Sequence, residues 1–484
     1  MPLVFAVDIG TSSSKAVVVD ERGEVLGSAA REHEVSRPLA GHVEMDADIW
    51  WTEFTDLATE LTTDLPEPIS AVGVSGMGPC LLVTTDDGRP LRPAILYGVD
   101  TRSTAQIAQW TTKLGEQQIL ERTGSALSSQ AVGPKIAWLR QHEGQVWAQT
   151  RRMFMPASWL AFKLTGEYVL DHHSASQCTP MYDPHDLCWL ADWAPQIAPG
   201  LELPHLRWAG EAAGLTRSAL AGIPAGTPVT TGTIDAWSEA VSVGATGVGD
   251  LMLMYGTTMF LVATVAEPIR TASMWGTVGA FPGTHNLAGG LATSGAVTAW
   301  LRDLTGSDYS TLLNQAQEAG PGAHGLLMLP YFAGERTPIM DPQARGIIAG
   351  LTLDHTRGDL YRAALEGTAF AVRHNIETMQ EAGANITRVV AVGGGTTGEL
   401  WAQIVTDITG LAQVIPHITI GASYGAAYLA MSLIQDVSIG AWNPDAKVVT
   451  PNKSWEALYH QRYRQYRSLY PATRELIHGL AVQP

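Results

Sequence analysis

Two aspartates and three glycine-rich turns contain the residue types in this sequence that could do chemistry. The turns are Gly10-Thr11-Ser12, Gly256-Thr257-Thr258 and Gly393-Gly394-Gly395, and each follows an apolar stretch that predicts a β-strand. Glycine lets a ligand approach the backbone closely, and the hydroxyls of the first two turns can donate hydrogen bonds, as binding of a polyphosphate requires. Any one of these turns alone is more often an ordinary hairpin, so the prediction of a phosphate site depends on all three.

The two aspartates are Asp8, at the mouth of the first turn, and Asp235, which follows an apolar stretch and precedes a predicted helix. Mg²⁺ prefers a few carboxylates together with phosphate oxygens, so Asp8 could hold it through water; the alternative is a solvated carboxylate that caps the turn. An aspartate with an ordinary pKa of about 3.9 is ionised at neutral pH and can accept a proton. On local grounds alone, however, Asp235 is more simply a helix N-cap. Lys15, on the next strand, could contact a phosphate oxygen or be an exposed strand lysine.

These residues must be positioned by two similar halves of the chain. A strand, a glycine-hydroxyl turn and a second strand open the sequence, and the same order recurs from Leu251 to Thr264. A weak internal repeat of this kind is what two lobes descended from one unit would show. Because 484 residues exceed the size at which one core stops growing, two domains of roughly 200 to 250 residues are expected. We place their boundary near residue 245, within a cluster of glycines.

Composition excludes several classes of partner. Hydrophobic residues make up 45% of the chain and charged residues 16%, which favours large folded cores over disorder. The formal charge of −17 argues against a nucleic acid or an anionic membrane surface as partner, but not against a phosphate ligand bound by backbone N–H groups. The sequence contains no apolar run long enough to span a bilayer, and its start predicts a first strand rather than a signal peptide. Three cysteines without metal-ligand spacing fit a reducing compartment, so we expect a cytoplasmic protein.

Two other kinase architectures are excluded by missing motifs. The sequence contains no Gly-Lys dipeptide, so there is no Walker A loop. It also lacks the His-Arg-Asp and Asp-Phe-Gly motifs of protein kinases.

Several segments resemble, in the same order along the chain, the motifs of the FGGY carbohydrate kinases. Gly334-Glu335-Arg336-Thr337-Pro338 and the later stretch 359–367 resemble the C-terminal signature of that family. Gly393-Gly394-Gly395 with Trp401 is similar to its adenosine motif, and the turns at Gly10 and Gly256 are similar to its two phosphate motifs. These matches extend from residue 8 to about residue 407, which is most of the chain.

The resemblance implies an α/β fold of two actin-like, ribonuclease H-like lobes with an interdomain cleft. The N-terminal lobe, 1–245, would bind a sugar, and the C-terminal lobe, 246–484, would bind ATP. Asp235 would be the catalytic base, and Asp8 would be catalytic through Mg²⁺. The residues that the resemblance implies for ATP binding are Gly10, Thr11, Ser12, Lys15, Gly256, Thr257, Thr258, Gly295, Gly394, Gly395 and Gly398. Gly398 departs from the Ser or Asn that the family often has there, so one side-chain contact to the nucleotide is in doubt.

The resemblance specifies the reaction more closely than the sugar or polyol that accepts the phosphoryl group. Substrate-binding residues would be Met77, Gly78, Asp100, Arg102 and Asp235, although a structural salt bridge is an equal alternative for Asp100 and Arg102. The segment 75–80 lacks the glutamine and histidine typical of xylulose kinases and the arginine and glutamate typical of glycerol kinases. The overall spacing is closer to xylulose kinases, so the resemblance favours a ketopentose such as D-xylulose. Ribulose, a pentitol, glycerol and gluconate remain open, as do a catalytically silent actin-like sugar sensor and a homodimer.

Overall fold

Two seven-stranded sheets organise residues 1–481, which are the residues that the computed structural model describes. Residues 482–484 of the predicted C-terminal lobe lie outside the described residues. Each sheet carries helices on its faces, and a cleft separates the two resulting lobes. The predicted α/β architecture of two lobes is confirmed. No helix among residues 1–481 combines the length and the apolar character needed to cross a bilayer.

The first half of the chain contains fifteen strands and nine α-helices. In chain order these are β1 Leu3–Ile9, β2 Ser13–Asp20, β3 Val25–Glu32, β4 Glu44–Met45, α1 Ala47–Thr62, β5 Ile69–Gly76, β6 Leu82–Thr84, β7 Ala94–Ile95, α2 Thr104–Leu114, α3 Glu116–Thr123, α4 Val132–His142, α5 Gly144–Gln149, β8 Arg152–Phe154, α6 Pro156–Thr165, β9 Val169–Asp171, α7 His172–Ser176, β10 Tyr182–Asp183, β11 Cys188–Trp189, α8 Ala194–Ile197, β12 His205–Arg207, β13 Ala212–Leu215, β14 Pro228–Thr230, β15 Thr233–Ile234 and α9 Asp235–Ser242.

The second half, as far as residue 481, contains nine strands, seven α-helices and three short 3₁₀ helices. The strands and α-helices are β16 Asp250–Tyr255, β17 Met259–Val265, β18 Trp275–Val278, β19 His285–Leu291, α10 Gly295–Thr305, α11 Tyr309–Ala319, β20 Leu327–Leu329, β21 Ile347–Ala349, α12 Arg357–Glu381, β22 Arg388–Val392, α13 Glu399–Thr409, β23 Gln413–Pro416, α14 Ala422–Ser432, α15 Ile439–Trp442, β24 Asp445–Val449 and α16 Glu456–Ala481. The 3₁₀ helices are Ala323–Gly325, Gly394–Thr396 and Lys453–Trp455.

The N-terminal sheet brings three chain segments to one edge. Strand β1 is antiparallel to β2, which places Lys15 opposite Asp8, and it is parallel to β5, which places Ser75 beside Asp8. The short strand β15 extends along β5, with Ile234 paired to Gly76. Because parallel strands end at the same edge of a sheet, the turn after β1, the segment after β5 and the start of α9 meet there.

The C-terminal sheet repeats this arrangement. Strand β16 pairs with β17 as a hairpin and with β22 in parallel, with Met254 opposite Val392. The turn at Gly256 and the turn at Gly393 therefore leave the sheet at the same edge. Each sheet thus carries its glycine-rich turns at the edge where its parallel strands end.

Helix α14 departs from a simple division of the chain at residue 245. Although it belongs to the second half in sequence, it packs on β1 and β5 of the N-terminal sheet. Its apolar residues form one buried cluster with Val4, Ala6 and Ala71. The contact is close because small residues line it: a Cβ added to Gly73 would lie 2.2 Å from the carbonyl oxygen of Ala426. The boundary at 245 stays a prediction, with α14 as an element that returns to the first lobe.

Candidate active site

Three adjoining cavities line the cleft between the lobes. The aromatic cavity, about 250 Å³, includes Trp237, Phe260 and Trp275 in its wall. The acidic cavity, about 390 Å³, includes Asp8, Lys15, Asp235 and Glu239. The glycine cavity, about 460 Å³, contains the remaining glycine-rich turns, with Gly256, Gly295, Gly394, Gly395 and Gly398 in its wall.

Shared residues make these cavities one continuous site. Asp235, Ala236 and Met254 line both the aromatic and the acidic cavity. Tyr255, Gly256 and Gly394 line both the acidic and the glycine cavity. The acidic cavity therefore connects the other two, with Asp235 at one junction and Gly256 at the other.

Asp235 is the first residue of α9 rather than its N-cap, which is Ile234. The N–H of Ala236 donates to its Oδ1 at 2.8 Å, which leaves Oδ2 for another partner. Burial raises the pKa of Asp235 to about 7, the negative charge of Asp8 contributes further, and the N–H of Ala236 opposes both. A carboxylate with this pKa accepts a proton more readily at neutral pH than an exposed aspartate does, so the position suits a general base.

Asp8 and Glu239 add two carboxyl groups to the acidic cavity. The hydroxyl of Ser75 donates to Oδ1 of Asp8 at 2.7 Å. Burial raises the pKa of Asp8 to about 6 against the lowering effects of Ser75 and Lys15. Burial also raises the pKa of Glu239 to about 8, with contributions from the charges of Asp8 and Asp235. Because negative charges repel, each of the three carboxyl groups is harder to ionise when the others are ionised.

The acidic cavity fits a divalent cation that also binds phosphate oxygens. Within residues 1–481 no three His, Cys, Asp or Glu side chains are arranged to hold a metal by themselves. Mg²⁺ does not need such a cage, because it is commonly bound by one or two carboxylates together with water and substrate phosphates. A cation beside Asp8 would offset the repulsion among the three carboxyl groups.

The glycine cavity has the shape of a slot between two turns and an apolar wall. The N–H of Gly295 donates to the carbonyl of Gly256 at 3.0 Å, and a Cβ at Gly295 would lie 2.7 Å from that oxygen. A Cβ at Gly395 would lie 2.8 Å from Cβ of Tyr255. Trp401 and Leu313 supply apolar surface. Backbone N–H groups beside an apolar slot suit a phosphorylated ligand with a flat ring.

The structure brings together most, but not all, of the residues predicted for the site. Asp8, Lys15 and Asp235 line the acidic cavity, and Gly78 lines the aromatic cavity. The remaining nucleotide residues that line the acidic or the glycine cavity are Gly256, Thr257, Gly295, Gly394, Gly395 and Gly398. Thr258, predicted with them, instead lines the aromatic cavity. Gly10, Thr11 and Ser12 line none of the three cavities, although the hydroxyl of Thr11 is hydrogen-bonded to that of Tyr97 at 3.0 Å.

Three of the residues predicted to bind the acceptor line none of the three cavities. The side chains of Asp100 and Arg102 are fully buried and form an ion pair with an N–O distance of 2.7 Å, and Arg102 also binds Glu44. Because the charges satisfy each other below the surface, the pair holds the segment 97–102 in place and does not face a cavity, as the salt-bridge alternative predicts. Met77 is also buried, in the core of the N-terminal lobe.

Several side chains in the site were not predicted from the sequence. Glu239 and Gln177 carry no local signal, since neither lies in a recognisable turn. Gln130 and Trp275 come from distant segments that only the fold places in the aromatic cavity. Arg336 could have been found, because it lies in the signature at Gly334, and its side chain lines the aromatic cavity from the C-terminal lobe.

Comparisons with known proteins agree with this geometry. Residues 3–242 match the model of the N-terminal domain of the FGGY family of carbohydrate kinases, and residues 251–434 match its C-terminal domain. The xylulose kinase of Staphylococcus xylosus is 27% identical over 489 residues, covering 97% of this chain and 100% of that protein. The glycerol kinase of Nocardia farcinica is 31% identical, covering 91% of each. The crystal structure of xylulose kinase from Rhodospirillum rubrum superposes with a TM-score of 0.92 at 28% identity, covering 98% of this chain and 100% of that one.

Proposed function

This chain belongs to the FGGY family of carbohydrate kinases, and from that premise we propose that it transfers the terminal phosphoryl group of ATP to a hydroxyl of a ketopentose such as D-xylulose. The observation that carries the proposal is the position of Asp235 at the junction of the aromatic and acidic cavities. A base at this junction can reach a hydroxyl in one cavity while the phosphoryl group lies in the other. We therefore assign the aromatic cavity to the sugar, the acidic cavity to the transferred group and the glycine cavity to the nucleotide.

Asp235 acts as the general base in this proposal. Its Oδ2 takes the proton of the attacking hydroxyl, while Oδ1 stays hydrogen-bonded to Ala236. Phosphoryl transfer needs positioning and neutralisation of charge more than covalent participation by the protein. Burial of the carboxylate keeps its basicity close to what neutral pH requires.

The remaining residues hold the nucleotide and its charge. Asp8 would hold Mg²⁺, which neutralises phosphate oxygens when it is bound. Lys15, opposite Asp8 on the next strand, supplies a positive charge to the same cavity. The backbone at Gly256 and Gly394 lies against the phosphates and Gly395 against the adenosine. The turn at Gly10, which follows Asp8 directly, would complete the phosphate site when the lobes close.

The acceptor is best identified by a panel of substrates. Release of ADP is measured with D-xylulose, D-ribulose, pentitols, glycerol and gluconate, each against the rate with water as the only acceptor. We expect a ketopentose to give the highest kcat/KM. If no member of the panel stimulates ADP release, the assignment of the aromatic cavity to a sugar is wrong.

Asp235→Asn tests the base directly. Removal of a general base should lower kcat by about 10²–10⁴-fold, whereas the Kd for ATP, measured by calorimetry, should stay within about threefold because Asn has the same size. Asp20→Asn is the matched control, since Asp20 is buried but caps a turn outside the three cavities. A variant at Asp235 with kcat near that of the wild type would remove this residue from its role.

A further inference from the structure

Two amide side chains of the aromatic cavity are fixed in direction by hydrogen bonds behind its wall. Gln130 and Gln177 both line this cavity. An amide offers a donor at one end and an acceptor at the other, and either end can face a ligand. The hydrogen-bond partner at one end of the amide therefore determines whether the other end offers the ligand a donor or an acceptor.

Gln130 presents its donor. The backbone N–H of Gly98 donates to Oε1 of Gln130 at 3.0 Å, so that Nε2 is the end left for a ligand. Gly98 also makes room for this amide, because a Cβ there would lie 2.7 Å from Nε2. Arg336, which enters the same cavity from the other lobe, carries a guanidinium that can only donate.

Gln177 presents its acceptor. His173 lies with Nδ1 at 2.8 Å from the carbonyl oxygen of Val278, which can only accept, so Nδ1 carries the proton. Burial lowers the pKa of His173 to about 3, so the ring is neutral and Nε2 has a free lone pair. The Nε2 of Gln177 lies 3.2 Å from this atom and donates to it, which leaves Oε1 for a ligand.

We propose that Gln130 and Gln177 are specificity-determining residues, and that with Arg336 they select a polyhydroxylated acceptor with a carbonyl or carboxylate oxygen over the corresponding alditol. This inference rests on the proposed function, because it treats the aromatic cavity as the acceptor site. An oxygen without a proton is satisfied by donors alone, whereas an alcohol in its place brings a proton that neither Gln130 nor Arg336 can accept. The Oε1 of Gln177 accepts from one of the remaining hydroxyls. His173 is a positioning residue, since it orients Gln177 without lining the cavity.

The experiment compares matched pairs of ligands. D-xylulose is compared with xylitol and D-arabinitol, and gluconate with sorbitol, so that the ketose and aldonate sources of the oxygen are tested separately. Both the Kd from calorimetry without nucleotide and the kcat/KM from ADP release are measured. We expect at least one carbonyl or carboxylate compound to bind about 10-fold more tightly than its alditol.

The variant Gln130→Glu keeps the shape of the side chain but replaces the donor by an acceptor. We expect it to weaken binding of the preferred compound about 10-fold or more and to abolish the preference over the alditol, while the KM for ATP stays within threefold. Gln177→Glu keeps an acceptor towards the cavity and should keep the preference. The control is Gln106→Glu, because Gln106 is buried and pairs with Gln141 away from the cleft.

The outcomes separate this inference from the kinase proposal. If ligands bind with the expected preference but none is phosphorylated, the inference stands and the proposed function fails. If an alditol binds and reacts as well as its ketose or aldonate, or if Gln130→Glu keeps the preference, the inference is wrong while the kinase proposal stands. Absence of binding by every ligand at millimolar concentration contradicts both. Thermal unfolding of each variant confirms that it is folded.

Discussion

At the scale of single residues, several buried carboxyl groups have raised pKa values. Those of Asp8, Asp235 and Glu239 share one cavity, where a cation and a phosphorylated ligand can offset their charge. Glu335 is buried in the C-terminal lobe instead. Its Oε1 accepts from the N–H groups of Ala292 and Arg336, but its Oε2 is buried without a hydrogen-bond partner among the described residues. A group of this kind should contribute to the dependence of stability on pH.

Glu335→Gln should reveal that dependence. Burial raises the pKa of Glu335 from 4.5 to about 8, against the lowering effects of two backbone N–H groups and the charge of Arg336. Between these two pKa values the folded state holds a proton that the unfolded state has released. The stabilisation by the protonated carboxyl group is therefore complete below about pH 4.5, decreases as the pH rises, and is lost once the pH passes about 8. Relative to the variant, the wild type should lose up to about 1.4 kcal/mol of unfolding free energy per pH unit across this window.

This difference is measured by urea unfolding of both proteins at several pH values between 5 and 8. The exposed Glu318→Gln serves as the control and should show no such trend. A constant difference in unfolding free energy between wild type and Glu335→Gln across the window would contradict the burial of an ionisable carboxyl group.

At the scale of elements, the contact between helices α9 and α14 joins the two halves of the chain. Helix α9 begins with Asp235 and ends the first half, and α14 returns from the second half to pack against it. The hydroxyl of Ser238 donates to the carbonyl of Ala422 at 2.7 Å. Gly425 allows the close approach, because a Cβ there would lie 1.8 Å from the carbonyl oxygen of Ser238. The helix that begins with Asp235 is thus held by small residues at its side.

Gly425→Ala should destabilise the protein although alanine is the better helix former. The added methyl group meets a backbone oxygen that cannot rotate away, so the helices must separate at a cost of about 1–3 kcal/mol. Gly479→Ala in α16 is the control, because nothing lies within 4 Å of its Cβ position. That variant should be neutral or more stable, by at most about 1 kcal/mol. Equal effects on the thermal midpoint at both sites would show that the contact between α9 and α14 is loose.

At the scale of the whole molecule, the N-terminal lobe is completed by chain from the second half. Tyr424 and Trp442 pack in the apolar cluster on the face of β1, β2 and β5. The hydroxyl of Tyr424 donates to the carbonyl of Gly23 at 2.8 Å, and the indole of Trp442 donates to that of Glu21 at 3.1 Å. The lobes are therefore linked by packing as well as by the chain between α9 and β16.

A fragment of residues 1–245 should not be stable by itself. Without α14 and α15 it exposes a contiguous apolar patch that includes Val4, Ala6 and Val17, which favours aggregation. Fusing residues 417–443 to this fragment through a long Gly/Ser linker should restore a soluble monomer that unfolds cooperatively. The comparison uses size-exclusion chromatography and thermal unfolding. A fragment 1–245 that is monomeric and cooperative without the added segment would contradict the structural role of α14.

The family, the fold class and the turns at Gly256 and Gly393 could be predicted from the sequence, because these depend on short runs of adjacent residues. Apolar strands that end in glycine and hydroxyl residues are local patterns, and the signature at Gly334 is read within a few positions. The expectations of two α/β lobes and of a carbohydrate kinase were confirmed. The roles of Asp235 and Asp8 stay proposals, although the structure places both carboxylates in one cavity.

Which side chains face the cleft, and which form ion pairs in the core below it, depends on the tertiary structure. Asp100 and Arg102 have the residue types of a sugar site, but a fully buried ion pair uses both charges. Gln130 and Gln177 have no local signal, and their direction depends on Gly98 and His173, which lie elsewhere in the chain. Helix α14 joins the opposite lobe because its small residues approach the sheet closely at Gly73. Each outcome depends on contacts between residues far apart in sequence, which no local pattern specifies.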